Sequence, residues 1–119
     1  MNISKKLRCS TAIFFMEICL IRPQDPETLN DRVDPPIGLL YVGTALRGAG
    51  HDVTILDFTG GYTPEIPKAD LYGINLYTTS YPYALKIRDQ IREVSDAPVV
   101  VGGPHALGKP VECERDFDY

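Results

Sequence analysis

Pro98-Val99-Val100-Val101-Gly102-Gly103-Pro104-His105 is the run whose reading decides the fold. Three β-branched residues in succession suit a strand. No polar residue alternates with them, so both faces of the strand are expected to be covered, as in a parallel sheet. The glycine pair ends the run, and the turn that follows leads toward a short helix beginning near Ala106, with Gly108 and Pro110 limiting its length. Working outward, apolar runs of strand length recur at residues 17–21, 53–56 and 71–77. Helical patterns separate them at residues 36–49 and 81–94. Pro36 and Pro82 fit first turns, Ser80 fits a cap, and Gly50 supplies a stop.

In the first helix Ile37, Leu40, Tyr41 and Ala45 follow helical spacing, with Leu39, Val42 and Leu46 widening the apolar face. In the second, Ala84, Ile87, Ile91 and Val94 form the stripe. The link over residues 58–70 carries Gly60, Gly61, Pro64 and Pro67, and little helix is expected there. The alternation predicts an α/β fold: an open, flavodoxin-like (Rossmann-like) parallel sheet in three layers, ordered 2-1-3-4, with one helix on each face. Asp116-Phe117-Asp118-Tyr119 reads as the entrance to a fifth strand that is cut short. The open edge beside it is a candidate surface for a homodimer.

A length of 119 residues fits one domain. We divide it into an amino extension over residues 1–15 and an α/β domain over residues 16–119. The net charge of -4 argues against a nucleic-acid partner, which a clustered basic patch would announce. Lys5, Lys6 and Arg8 precede an apolar run over residues 11–21, but Glu17 interrupts it. The run is too short for a membrane span, which needs about 20 residues. Cys9, Cys19 and Cys113 are odd in number and widely spaced. They describe neither a disulfide framework nor a zinc site, and free thiols in a reducing cytoplasm are expected.

Ligands of open α/β sheets bind beyond the carboxyl ends of the strands. Residues 22–36, 57–62, 78–81 and 102–105 fall there. The first of these loops is long, polar and proline-rich, which favours a functional segment over a connector. Thr78, Thr79 and Ser80 place hydroxyls at a helix start, where they either hold a phosphate or amide or only cap the helix. Gly102 and Gly103 either admit a ligand to the backbone or make a plain turn. Asp57 could meet a ribose hydroxyl, but G-x-G-x-x-G and G-x-x-x-x-G-K-[ST] patterns are absent. His51 lies at the opposite end and reads as structural. Glu112, Glu114, Asp116 and Asp118 read as a solvated acidic tail. No catalytic constellation emerges.

The ordered set Pro35-Pro36-Ile37-Gly38-Leu39-Leu40-Tyr41, Gly50-His51, Val53-Thr54-Ile55-Leu56-Asp57, Ala69-Asp70-Leu71-Tyr72-Gly73-Ile74, Thr79-Ser80-Tyr81-Pro82 and Pro98 to His105 resembles the cobalamin-binding domain that precedes the radical SAM domain in many enzymes. The resemblance implies cobalamin as cofactor, with its corrin above the carboxyl edge and its nucleotide tail against the sheet. Pro36 and Gly38 would then shape the first loop, Thr79, Ser80 and Tyr81 would lie near the tail, and Gly102, Gly103, Pro104 and His105 would form another wall. It implies a module that positions the corrin for methyl transfer or related radical chemistry, with a radical SAM domain or subunit as partner. A Gly103→Val change is expected to block the cofactor and spare the fold.

Two departures stand out. The D-x-H-x-x-G run that supplies an axial histidine in related domains is missing, so His105 is expected as a wall contact and not a cobalt ligand. The C-x-x-x-C-x-x-C run is also missing, so no iron-sulfur cluster is expected in this chain and the isolated chain is not expected to be catalytic. Two rival readings are a non-catalytic interaction module with an empty pocket and a flavodoxin-like binder of another nucleotide or flavin.

Overall fold

The computed structural model describes residues 15–28, 30–32 and 34–119. The expected amino extension lies, up to residue 14, outside the described residues. Four strands, β1 (Glu17–Arg22), β2 (Asp52–Asp57), β3 (Leu71–Asn75) and β4 (Val99–Gly102), form one sheet in the order β2-β1-β3-β4. All neighbours pair in parallel. This is the expected flavodoxin-like arrangement. The helices are α1 (Ile37–Gly48), α2 (Tyr81–Val94), α3 (Pro104–Gly108) and α4 (Pro110–Asp116).

The central strand shows why the sheet is covered on both sides. Ile18 and Leu20 join Leu39 in one core, packed by Leu46, Val53, Ile55 and Leu71. Cys19 and Ile21 join Tyr72, Ile74, Val99 and the α2 residues Ala84, Ile87 and Ile91 in the other. Alternate side chains of one strand thus feed opposite layers, with α1 and α2 on opposite faces. Burial of the Ile, Leu and Val side chains contributes about 1.5–3 kcal/mol each, which makes these layers the main support of the fold.

The expected stripe on α1 is corrected by its packing. Ile37, Leu40, Tyr41 and Val42 are exposed, Tyr41 to 75%. The face against the sheet is Leu39 and Gly43, with Leu46 half-buried. Gly43 is the reason. A Cβ there would lie 3.3 Å from Ile55 Cδ1 and 3.5 Å from Leu20 Cδ1, so glycine lets the helix settle on the strands along a narrow seam. The α2 stripe holds at Ala84, Ile87 and Ile91, while Val94 is 37% exposed.

Several boundaries shift. β3 stops at Asn75, two residues before the end of its apolar run, and a 3-10 turn over Thr78–Ser80 precedes α2. The link after β2 holds only a 3-10 turn, Thr59–Gly61. The expected short helix near Ala106 is two helices, each opened by a proline in its first turn and separated at Lys109. After α4 the chain returns to β4. Tyr119 N–H donates to Val99 O at 3.3 Å, and Val101 N–H donates to Tyr119 O at 2.9 Å. That exchange is a parallel one, so residues 118–119 begin to pair where a fifth strand is expected.

Asp116 and Asp118, read with Glu112 and Glu114 as a solvated tail, are engaged with protein groups, while Glu114 is exposed. Asp118 pairs with Arg92 and accepts from Val99 N–H at 2.8 Å. Asp116 accepts the Tyr81 hydroxyl and pairs with Arg115 at 2.9 Å. They dock α4 and the chain end onto α2 and β4.

Candidate functional site

A cleft of about 750 Å³ opens at the carboxyl edge of β1 and β3. The connection after β1 goes to one side of the sheet order and the connection after β3 to the other, so the cleft sits at the topological switch point. Its size is within the range of ligand pockets. One wall is the loop after β1, including Asp25, Asp31, Asp34, Pro36 and the start of α1 at Ile37 and Gly38; the other includes Asn75, Tyr77, Thr79, Ser80, Gly103 and Pro104.

The loop after β1 is held by charged side chains. Arg22 donates to Asp34 O at 2.7 Å and Asp31 O at 2.8 Å, and lies 3.7 Å from Asp57 Oδ2. Asp31 accepts the N–H of Asp25 and the N–H of Gly60, each at 3.0 Å. The Asp25 N–H, foremost, holds the Asp31 carboxyl below its ordinary range. Thr79 Oγ1 then donates to Asp25 Oδ2 at 2.8 Å, which ties the first wall to the second. Asp57, read as a candidate for a ribose, instead accepts Thr59 N–H at 3.0 Å and Thr59 Oγ1 at 2.7 Å. Its carboxylate caps the turn after β2.

Pro36, Gly38, Thr79, Ser80, Gly103 and Pro104 are brought together around this cleft, as read from the sequence. Tyr81, Gly102 and His105 are not on its wall. Tyr81 is buried under α4, where its hydroxyl reaches Asp116 and its ring stands edge-on to Phe117 at 6.0 Å. Burial first, then the Asp116 carboxylate, push its phenol well above the usual range. Gly102 carries the end of β4, where its carbonyl accepts Leu76 N–H at 2.7 Å.

His105, expected as a wall contact, is a buried link between elements. It is 6% exposed, and its Nδ1 shares a hydrogen bond with Thr78 Oγ1 at 3.0 Å. Its ring lies 4.6 Å from that of Tyr81. Nε2 is 3.4 Å from Glu112 Oε2, in a geometry that makes no hydrogen bond. His51, the other histidine of the chain, accepts Met16 N–H at 3.1 Å at the far end of the sheet. Neither histidine reaches the cleft.

The hydroxyls at the start of α2 are also spoken for. Ser80 is buried, donates to Tyr77 O at 3.0 Å and accepts Tyr77 N–H at 3.1 Å. It closes the 3-10 turn and caps nothing in α2. Thr78 turns to His105 and Thr79 to Asp25. Gly103 has φ of 100° and ψ of -176°, a region nearly confined to glycine. A Cβ there would stand 2.9 Å from Leu76 O and 3.1 Å from Leu76 N, with Asn75 Oδ1 closer still. The glycine therefore serves the turn as well as the cleft, and a Gly103→Val change would damage the fold. That corrects the expectation of an intact domain.

Sequence reading missed Arg22, Asp25, Asp31 and Asp34 on one wall and Asn75 and Tyr77 on the other. The loop's length and its run of carboxylates were the available signal. Among the described residues, no cluster of three or more His, Cys, Asp or Glu side chains is placed to hold a metal ion. No helix among them is long and apolar enough to cross a membrane.

Comparison with known proteins bears on which ligand this cleft takes. The B12 binding domain family matches residues 33–119. The chain belongs to that family. The B12-binding-type domain is also 30% identical, over 103 residues, to the anaerobic magnesium-protoporphyrin IX monomethyl ester cyclase of Synechocystis, covering 74% of this chain and 20% of the cyclase. The chain therefore spans about a fifth of that relative's length. No solved structure matches significantly.

Proposed function

We propose that this domain binds cobalamin in the carboxyl-edge cleft and presents it to a radical SAM domain or subunit, for methyl transfer or related radical chemistry. The observation that carries the reading is the coincidence of the family match with a cleft at the switch point of the sheet. The residues fit the group in a specific sense. A Cβ at Gly38, on the cleft wall, would meet nothing within 4 Å, so the cleft stays open beside the start of α1. Small or rigid residues, Gly38, Gly103, Pro36 and Pro104, leave room for a bulky ligand.

When bound, cobalamin supplies a methyl group or an electron-accepting cobalt centre. The chain's own part is to bind, orient and exclude water. The loop after β1, pinned through Arg22 and Asp31, forms the outer wall, and Asn75 and Tyr77 form the inner one. Neither His51 nor His105 lies on the cleft wall. The uncharged stripe of Ile37, Leu40 and Tyr41 is exposed and continues from the cleft through Ile37, and it is the face we assign to the radical SAM partner.

The test is titration with hydroxocobalamin, read by absorbance and calorimetry. Saturable binding is expected, with a spectrum unchanged by His105→Ala. Gly38→Phe is expected to weaken binding at least about tenfold while the domain stays folded, since nothing lies within 4 Å of a Cβ at Gly38. Absence of binding, or full affinity in Gly38→Phe, would overturn the assignment of the site.

A further inference from the structure

His105 and Thr78 meet through Nδ1 and Oγ1 at 3.0 Å. Neither lines the cleft, whereas Tyr77, Thr79 and Ser80, on either side of Thr78, do. The imidazole is 6% exposed and packs on the Tyr81 ring at 4.6 Å. Its Nε2 is closed to water and has no hydrogen-bond partner among the described residues. A buried nitrogen without a partner counts against folding. If this side chain served packing alone, a phenyl ring would fill the place without that cost. What the imidazole adds is Nδ1, and Nδ1 goes to Thr78. Thr78 is exposed, so without His105 water would satisfy its hydroxyl. The contact therefore does more for the place of the turn than for the stability of the domain.

We propose that His105 is a positioning residue of the cleft: through Nδ1 and Thr78 it sets the spacing between the 77–80 turn and Gly103-Pro104, and with it the fit of the corrinoid. The inference rests on the cobalamin reading above and adds a residue that touches no ligand. The turn is closed on itself by Ser80 N–H on Tyr77 O at 3.1 Å and by the Ser80 hydroxyl, which bonds Tyr77 at both its N–H and its carbonyl. It therefore shifts as a piece, and one contact at its middle sets where Tyr77 and Thr79 stand. Its tie through Thr79 goes to Asp25, in the loop of the opposite wall. His105 follows Gly103 and Pro104 directly in the chain, so its contact joins the two strips of one wall.

Two substitutions separate positioning from packing. His105→Phe keeps a ring against Tyr81 and loses Nδ1. His105→Asn loses the ring and keeps a polar atom near the place of Nδ1. The Phe variant is expected to be at least as stable as wild type in urea unfolding, yet to bind hydroxocobalamin about five- to tenfold more weakly, the scale of one net hydrogen bond. The Asn variant is expected to unfold at lower urea, yet to bind within about twofold of wild type. Thr78→Val removes the same contact from an exposed position without touching the core. It is expected to match the Phe variant, and the double variant to bind within about twofold of either alone. In the ligand-free chain, hydrogen exchange at the Tyr77 and Ser80 amides is expected to quicken in His105→Phe and Thr78→Val and to stay slow in His105→Asn.

Full affinity in either His105→Phe or Thr78→Val overturns the proposal and leaves cobalamin binding standing. So does affinity that follows stability, with His105→Asn the weakest binder. Amide exchange that is the same in all variants also overturns it, since the turn then keeps its place without the contact. A wild-type chain that binds no corrinoid ends the cobalamin reading and this inference with it.

Discussion

Replacing Gly103 by Ala tests whether the turn after β4 owes its glycine to the fold. The backbone there holds φ at 100° and ψ at -176°. An alanine in this region costs about 1–3 kcal/mol of strain. Its Cβ would also stand 2.9 Å from Leu76 O and 3.1 Å from Leu76 N. Those are backbone atoms, fixed by Leu76 N–H on Gly102 O at 2.7 Å and by His105 N–H on Leu76 O at 3.1 Å, so they cannot swing aside as a side chain would. Overpacking of this kind costs about 1–3 kcal/mol more. Alanine recovers about 0.4–1 kcal/mol by restricting the unfolded chain. The net expectation is a loss of about 1–5.5 kcal/mol, a large share of the about 5–15 kcal/mol that holds a domain folded. At this chain length it lowers Tm by about 4–22 °C. Gly102→Ala is the control. Its Cβ would meet nothing within 4 Å, and stability is expected to stay within about 0.5 kcal/mol of wild type. Urea and thermal unfolding followed by far-UV circular dichroism measure both. A Gly103→Ala protein as stable as wild type, or a Gly102→Ala protein equally damaged, would refute the reasoning.

Further outcomes follow from the packing of α4 and from the cysteines. The Arg115 guanidinium, then the Tyr81 hydroxyl, hold the Asp116 carboxyl well below its ordinary 3.8. The unfolded chain therefore takes up this proton at a higher pH than the folded one. The contribution is present above about pH 4 and is lost as acid titrates the folded carboxylate. The stability gap between wild type and Asp116→Asn is expected to narrow as the pH is lowered from 7 to 3 in urea titrations, and a gap independent of pH would contradict the assignment. Burial pushes the Cys19 thiol up to about 11, and burial also raises that of Cys113. Neither is expected to react with iodoacetamide at pH 7.5 until the protein is unfolded, as peptide mass spectrometry would show; rapid native labelling of either would place it outside the core. The isolated chain, reconstituted with iron and sulfide, is expected to release no 5′-deoxyadenosine from S-adenosylmethionine, and chromatographic detection of that product would overturn the expectation.

The sheet was legible because its signals are local. Apolar runs without alternation, each ended by Gly, Pro or a polar cluster, fix strand positions and a covered sheet, and the length of the connections fixes parallel pairing. The rotation of α1 was not, because a helix rich in apolar residues on several sides gives no unique inward face. What chose Leu39 and Leu46 over Ile37 and Tyr41 was the fit of Gly43 against Leu20 and Ile55, a contact made across the sheet. The cleft divides in the same way. Pro36, Gly38, Gly103 and Pro104 act through the backbone where they stand, and local reading placed them at the cleft. The hydroxyls act through partners far along the chain. Thr79 meets Asp25 across 54 positions, and Thr78 meets His105 across 27. Residue type predicts that such a group finds a partner, not which one.

The same distinction separates the rival ligands. A hydroxyl-rich helix start suggests phosphate when read alone. In the folded chain Ser80 turns back to Tyr77, Thr78 to His105 and Thr79 to a carboxylate, so the hydroxyls at this helix start are already engaged with protein groups. The wall opposite adds Asp31 and Asp34, with Arg22 already engaged. A dianionic flavin phosphate brought here would be desolvated against like charge with no cation to meet it, a cost that its ring stacking must first recover. Cobalamin offsets its single phosphodiester charge at the metal and surrounds its ring with neutral amides. The cleft's electrostatics thus point the same way as the family match, and they do so through Asp34 and through Asp25 and Asp31, which precede the matched residues 33–119.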